Sequence, residues 1–263
     1  MVRTAMSLSL AEWKSNMNGY GVFSEFYDIL TEDVDYKGRA EYLYGLFKRF
    51  DRVPTLMLDL ACGTGSFSNE FSEKGIEVIG VDASEEMLSR AKNKTEQRGN
   101  NVLYLCQPAE ELELYGTVDG AVCCLDSLNH ITDYEKFSKA INKVSLFLEK
   151  DRLFIFDMNT EYKQEYVLSD KTFVLENDDL YCVWQNFYSA DERMTEINLD
   201  FFVRQCEGYE RYSEDFCERA YTQKEIENAL KNAGLKLEAV FGDMSYEAPA
   251  DTSERNIYVA RKV

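Results

Sequence analysis

Apolar and polar positions along the chain follow two different periods, and the change between them divides the sequence. From Leu56 onward, short β-rich runs alternate with longer amphipathic stretches, the pattern of a parallel sheet covered by helices. LMLDL (Leu56 to Leu60) predicts the first strand. The stretch after it, to Lys74, predicts a helix closed by Gly75 in a left-handed conformation. EVIGVD (Glu77 to Asp82) predicts the second strand, and Ser84 caps a helix to about Arg98. NVLYLC (Asn101 to Cys106) and VDGAVCC (Val118 to Cys124) predict the third and fourth. Thr132 and Glu135 read as a capping box for a helix to about Lys150, before a fifth strand, RLFIFD (Arg152 to Asp157).

After Asn159 the period becomes two. Segments around Phe173 to Leu175, Tyr181 to Tyr188, Thr195 to Arg204 and Tyr209 to Phe216 alternate apolar and polar residues without helical stretches between them. This predicts an antiparallel β insertion reaching about Glu218. The α/β rhythm then resumes with a second capping box, Thr222 and Glu225, a helix ending at Gly234, and strands near Leu235 to Phe241 and Asn256 to Arg261. The expected fold is α/β, doubly wound and mostly parallel, with an inserted antiparallel β subdomain.

Composition narrows the partners. With 45% hydrophobic residues among 263, the chain can bury a large core without metals or disulfides. Lys and Arg total 29 against 48 Asp and Glu, a formal charge of −19 whose field repels polyanions, so nucleic acid and anionic membranes are disfavoured. No stretch approaches the roughly 20 apolar residues of a membrane span, and the amino terminus lacks the apolar run of a signal peptide, so a cytoplasmic location is expected. The seven cysteines show no zinc-site spacing and read as reduced thiols. One histidine, His130, excludes designs that need a histidine pair or cluster, and no metal is expected.

The sharpest chemical signal is Asp59-Leu-Ala-Cys-Gly63-Thr-Gly65, directly after a strand and directly before a helix. Glycines there allow a tight turn and close approach of backbone to ligand at the carboxyl edge of the sheet. A dinucleotide fingerprint would place glycine or alanine three residues after Gly65, where this chain has Ser68. Asp59 at the mouth of the loop is badly matched to a pyrophosphate and well matched to a ligand carrying an ammonium and a sulfonium. Asp82 ends the second strand, where a carboxylate can accept hydrogen bonds from both hydroxyls of a ribose.

With these residues in place, the sequence resembles the class I S-adenosylmethionine-dependent methyltransferases from about Tyr20 to its end. DLACGTGSF looks like their motif I, and GVDASEEML like their acidic second-strand motif. The resemblance implies a seven-stranded Rossmann-like sheet with S-adenosylmethionine as cofactor, its methionine part lined by Asp59, Ala61, Cys62, Gly63 and Gly65. Asp82 would hold the ribose, with Ala83 and Met87 flanking the adenine. More narrowly, the chain looks like small bacterial members with a β insertion after the fifth strand. YGVFSEFYD (Tyr20 to Asp28) is similar to a lid whose tyrosines, Tyr20 and Tyr27, close over the cofactor. CLDSLNHI implies cofactor contacts from Leu125, Asp126 and Ser127, and substrate-side roles for Asn129 or His130. The implied division is a lid over residues 1–35, a cofactor domain over 36–160 and 219–263, and a substrate cover over 161–218. Two positions depart from the group: Cys106-Gln107-Pro108-Ala109 stands where an acidic residue often meets the adenine amine, which implies that Gln107 or the Ala109 backbone, with Pro108, serves the adenine instead, and Phe216 replaces a frequent histidine.

Methyl transfer from a sulfonium is an in-line displacement, so the chief task is to hold the acceptor atom near the methyl group in alignment. Tyr27, Asn129 and His130 are the candidate catalytic residues, His130 as a proton acceptor. Trp184 and Arg211 are the candidates for binding the acceptor, Trp184 as part of an aromatic cage and Arg211 through a carboxylate, with a salt bridge to Glu214 or Glu218 as its simpler role. The expected acceptor is a small molecule or peptide, and the expected state a monomer or homodimer. An RNA methyltransferase, a cofactor-binding regulator without turnover and a nucleotide-cofactor oxidoreductase stand as alternatives.

Overall fold

Apolar runs become strands where the sequence places them, and their period of two sorts side chains onto the two faces of one sheet. The computed structural model describes residues 20–263, with side chains from Phe23 onward. Seven strands lie in the order β10, β11, β5, β4, β1, β2, β3. They are β1 (Leu56–Leu60), β2 (Glu77–Asp82), β3 (Val102–Cys106), β4 (Gly120–Cys123), β5 (Leu153–Asn159), β10 (Leu235–Gly242) and β11 (Arg255–Lys262). All pairings are parallel except those of β11, which runs antiparallel to both β5 and β10. The chain winds outward from β1 through β2 to β3 and then crosses to β4 on the other side. That reversal opens a crevice at the carboxyl ends of β1 and β4.

On one face Met57, Val78, Val122, Ile155 and Val259 meet α2 (Tyr36–Arg49) and α3 (Ser66–Glu73). Their neighbours Leu58, Ala121, Phe154 and Ala260 point the other way, against α5 (Tyr134–Phe147) and α6 (Gln223–Asn232). Between them, α4 (Glu85–Arg98) packs Leu88 and Ala91 on Tyr104. Burying each such aliphatic side chain contributes about 2 kcal/mol. Ser84 caps α4 by accepting from the Met87 N–H at 3.1 Å, and both halves of the Thr222–Glu225 capping box form. The first helix after β4 is capped one residue later than expected. Asp133, not Thr132, accepts from the Lys136 N–H at 2.9 Å, because its carboxylate reaches the free amides of the first turn.

The segment between β5 and β11 carries a second sheet, a meander of β6 (Thr172–Glu176), β7 (Leu180–Ser189), β8 (Met194–Gln205) and β9 (Gly208–Arg219). Its inner face presents Cys182, Leu199 and Phe201 to α1 (Tyr20–Leu30), whose Phe26 stacks on Phe201 with ring centroids 5.7 Å apart. The other end of α1 is tied to the large sheet. The carboxylate of Asp28 accepts from the Thr64 hydroxyl at 2.6 Å and from the Lys94 ammonium at 2.8 Å. The helix therefore bridges both sheets, directly above the crevice.

Candidate active site

The turn after β1 is built from residues that tolerate left-handed backbone. Gly63 and Gly65 have φ of +53° and +73°, and Ala61 has +54°. A Cβ on Gly65 would lie 2.3 Å from the Tyr104 hydroxyl oxygen, so that position admits glycine alone; on Gly63 it would meet only the Tyr27 ring, at 3.9 Å. Asp82 locks the turn from the next strand. Its two oxygens accept from the N–H groups of Gly63 at 2.8 Å and Ser84 at 2.9 Å, leaving a lone pair on each for a ligand hydroxyl. Burial raises its pKa against the lowering effect of those bonds.

Asp59 is buried at the end of β1 and accepts from the Ser68 hydroxyl at 2.6 Å. Burial pushes its pKa to about 7, only partly offset by Ser68. The residue that breaks the dinucleotide fingerprint thus supplies a hydrogen bond to the acid at the mouth of the loop. Asp59, Ala61 and Cys62 line a narrow recess with Tyr27, Tyr36 and Ser127. Beside it, a groove of about 520 Å³ is bounded by Gly63, Asp82, Ala83, Met87, Leu125 and Ser127. It continues past Gln107, Pro108 and Ala109 into a smaller pocket of about 160 Å³. The Gln107 amide is already engaged with the backbone of Glu113, at 2.8 and 3.2 Å, so its side chain serves as wall; Glu110, paired with Lys136 at 3.5 Å, brings a carboxylate to the same pocket.

A second cavity, of about 380 Å³, lies between the crevice, α1 and the inner face of the insertion. Phe23, Leu30, Leu199, Phe216 and Trp184 form its apolar wall, and Asp126, His130, Lys163, Glu218 and Arg255 its polar end. The loop beneath it is strained: Leu125 and Asp126 have consecutive φ values of +54° and +52°. Asp157 on β5 holds this strain by accepting from the N–H groups of Leu125 at 2.8 Å and Asp126 at 2.6 Å. Arg255 at the start of β11 bridges the carboxylates of Asp157 and Asp126. Burial opposes ionisation of Asp126, but Arg255, Lys163 and His130 outweigh it and hold the pKa at about 2.

Several expected residues sit elsewhere. Asn129 is buried and spends its amide on structure, donating to the carbonyls of Asn159 at 3.2 Å and Arg219 at 2.8 Å and accepting from the Asn159 N–H at 3.0 Å. It is a positioning residue for the turn Ser127–His130 and lines neither cavity. Arg211 lies on the outer face of β9, bidentate to Asp200 at 2.8 Å, and lines neither cavity. Glu214 and Glu218, its expected partners, alternate onto the opposite face, and Arg219 pairs with Glu225 at 2.8 Å. Asp126 lines the second cavity and not the 520 Å³ groove. Tyr27 lines both, and its hydroxyl pKa is raised by burial and by the neighbouring Tyr36. The side chain of Tyr20 lies outside the described residues.

A glycine turn with a carboxylate at each side, at the reversal point of a seven-stranded sheet with one antiparallel strand, suits a cationic nucleoside and leaves no cradle for a pyrophosphate. Known proteins share this plan. The methyltransferase-domain family matches residues 57–151. The putative methyltransferase YqeM of Bacillus subtilis (strain 168) is 33% identical over 244 residues, 92% of this chain and 97% of that protein. A solved S-adenosylmethionine-dependent methyltransferase from Clostridium acetobutylicum ATCC 824 is also 33% identical, with a TM-score of 0.84 over 93% of this chain and 99% of that one. The chain belongs to the class I S-adenosylmethionine-dependent methyltransferases. A more distant structure, the sugar N-methyltransferase KedS8 from Streptoalloteichus, shares the fold at 16% identity, with a TM-score of 0.76 over 100% of this chain and 98% of that one.

Among the residues of the methyltransferase's second cavity that escape sequence reading are Asn159, Lys163, Glu218 and Arg255, which form or adjoin its polar end. Arg255 follows a turn-rich stretch and carries no motif. Its partner Asp157 is 98 positions away, and only the antiparallel pairing of β11 on β5 brings them together. Glu218 was visible only as a possible partner for an arginine.

Proposed function

We propose that this methyltransferase acts on a compact small molecule, held in the 380 Å³ cavity and methylated across the wall shared with the nucleoside groove. One observation carries this reading: Phe23, Tyr27, Leu125 and His130 line both spaces, so the chambers meet at four side chains. A cavity of this size, mostly apolar with a few convergent polar groups, suits a small ligand. The charge of −19 opposes a polyanionic substrate.

In this reading Asp82 accepts from the ribose hydroxyls, the Asp59 carboxylate faces the ammonium of the methionine part, and Met87 and Ala83 flank the base. When bound, S-adenosylmethionine supplies an electrophilic methyl group. The protein aligns an acceptor atom with it and shields both from water under α1. His130, exposed on one side and facing the acceptor cavity on the other, takes a proton from the acceptor and passes it to solvent. Titration with S-adenosylhomocysteine tests the reading. Saturation at one hundred times Kd should stabilise the protein by about 2.7 kcal/mol, and Asp82→Ala should remove most of that gain. An unchanged gain in the mutant refutes the ribose assignment, and no gain in the wild type refutes the function.

A further inference from the structure

Glu218 is a buried carboxylate at the end of the acceptor cavity, 4% exposed, with no strong cation at its side. One oxygen, Oε2, is fixed by neutral donors, the Asn159 amide at 3.1 Å and the Gln164 amide at 3.4 Å. The other, Oε1, lies 3.8 Å from His130 Nε2. Among the described residues no lysine or arginine nitrogen comes within 4.0 Å of Glu218. Arg255 is paired with Asp126 and Asp157 and Arg219 with Glu225, while Lys163, hydrogen-bonded to the neutral Asn159 side-chain oxygen at 3.0 Å, acts on Glu218 only through its field; burial and Asp126 raise the Glu218 pKa against the pull of His130 and Lys163. Buried charges in folded proteins are paired or they neutralise. Here a carboxylate is held in place by hydrogen bonds, beside a histidine and Asp126, with all three groups within 4.8 Å of one another. Trp184 and Phe216 line the same cavity, Phe216 two residues before Glu218 on the inward face of β9.

We propose that Glu218 is the receptor for a cationic acceptor, so that the methyltransferase selects compact amines over alcohols and acids. The inference rests on the function proposed above and names its substrate class. The amine enters as its ammonium, with an N–H donated to Glu218 Oε1 and its carbon frame against Trp184 and Phe216, whose ring faces attract positive charge. One ammonium proton passes to the imidazole of His130, giving an imidazolium flanked by Glu218 and Asp126. The nitrogen lone pair so freed forms a bond to the methyl carbon as the carbon–sulfur bond breaks. The sulfonium becomes a neutral thioether, the product nitrogen takes the positive charge, and His130 returns its proton to solvent.

The test is isothermal titration of the S-adenosylhomocysteine-loaded protein with benzylamine, cyclohexylamine and tyramine, each beside the alcohol in which hydroxyl replaces the amine. At least one amine should bind about tenfold or more tightly than its alcohol, the discrimination expected of a charge-assisted hydrogen bond. Glu218→Gln, which keeps the shape and one carbonyl oxygen for Asn159 and Gln164, should reduce that preference to within about twofold without changing S-adenosylhomocysteine affinity. Equal binding of every amine and its alcohol, or a preference that survives the substitution, overturns the proposal. Because the first step is cofactor-product binding, failure there falls on the methyltransferase site and failure of the amine arms falls on Glu218 alone.

Discussion

In the proposed site Asp59 couples cofactor binding to pH, and the sign follows from its burial. Its pKa stands at about 7 in the folded protein against an ordinary 3.8. The folded state therefore keeps a proton that the unfolded chain releases, and stability falls as pH rises from about 4 to about 7, then levels. Three decades of proton affinity correspond to about 4 kcal/mol, the upper cost of holding Asp59 ionised in the empty protein. Asp59→Asn, which keeps the shape and can still accept from Ser68, removes that cost. For a chain of this length it should raise the melting temperature of the empty protein by up to about 10 °C at mildly alkaline pH, and by little near pH 4. In the proposed site the ligand's ammonium needs the charged form of Asp59. Wild-type affinity for S-adenosylhomocysteine, followed by calorimetry, should rise about tenfold from one pH unit below 7 to one above and then flatten, whereas the variant should bind weakly with no slope. A variant that keeps wild-type affinity and the same slope would refute the role of the carboxylate.

Substitutions at three further positions probe the frame around the site. Gly65→Ala places a methyl group against the Tyr104 hydroxyl, itself bonded to Thr95 at 2.8 Å, and should cost about 2 kcal/mol or more in urea unfolding. Gly63→Ala, with open space around it, should cost about 1 kcal/mol. Arg255→Leu strands the buried carboxylates of Asp126 and Asp157 and should cost about 3 to 5 kcal/mol, and Arg255→Lys should recover part of it; a loss below about 1 kcal/mol in the Leu variant would show that the bridge does not hold the strained loop.

The glycine turn and the groove beside it were legible because their determinants are local. A strand, a glycine turn and an acid one strand later lie within 24 residues of sequence, Asp59 to Asp82, and each residue type is demanded by backbone geometry or charge. The insertion was legible as a sheet because period two survives on its inner face. Its orientation was legible only in part: parity along β9 separates Arg211 from Glu218, but which parity faces inward depends on α1 docking over the sheet. Beyond Asp126 and His130, the polar end of the second cavity was not legible. It is assembled from β5, the turn after it, β9 and β11, whose partners are set by pairing across the sheet and not by spacing. Asn129 misled for a related reason, since a buried amide that ties three backbone groups resembles a functional residue until its hydrogen bonds are known.

The two sheets contribute to the chambers unequally. Leu175, Trp184, Leu199, Phe216 and Glu218 come from the insertion and line only the acceptor side, while the nucleoside groove is bounded by α1 and the large sheet with its loops. On the proposed assignment of the two chambers, exchange of side chains on the meander would reshape what is methylated while the source of the methyl group stays constant. A lineage carrying this architecture can diversify its chemistry by drift on a few strands, with the costly glycine turn left untouched.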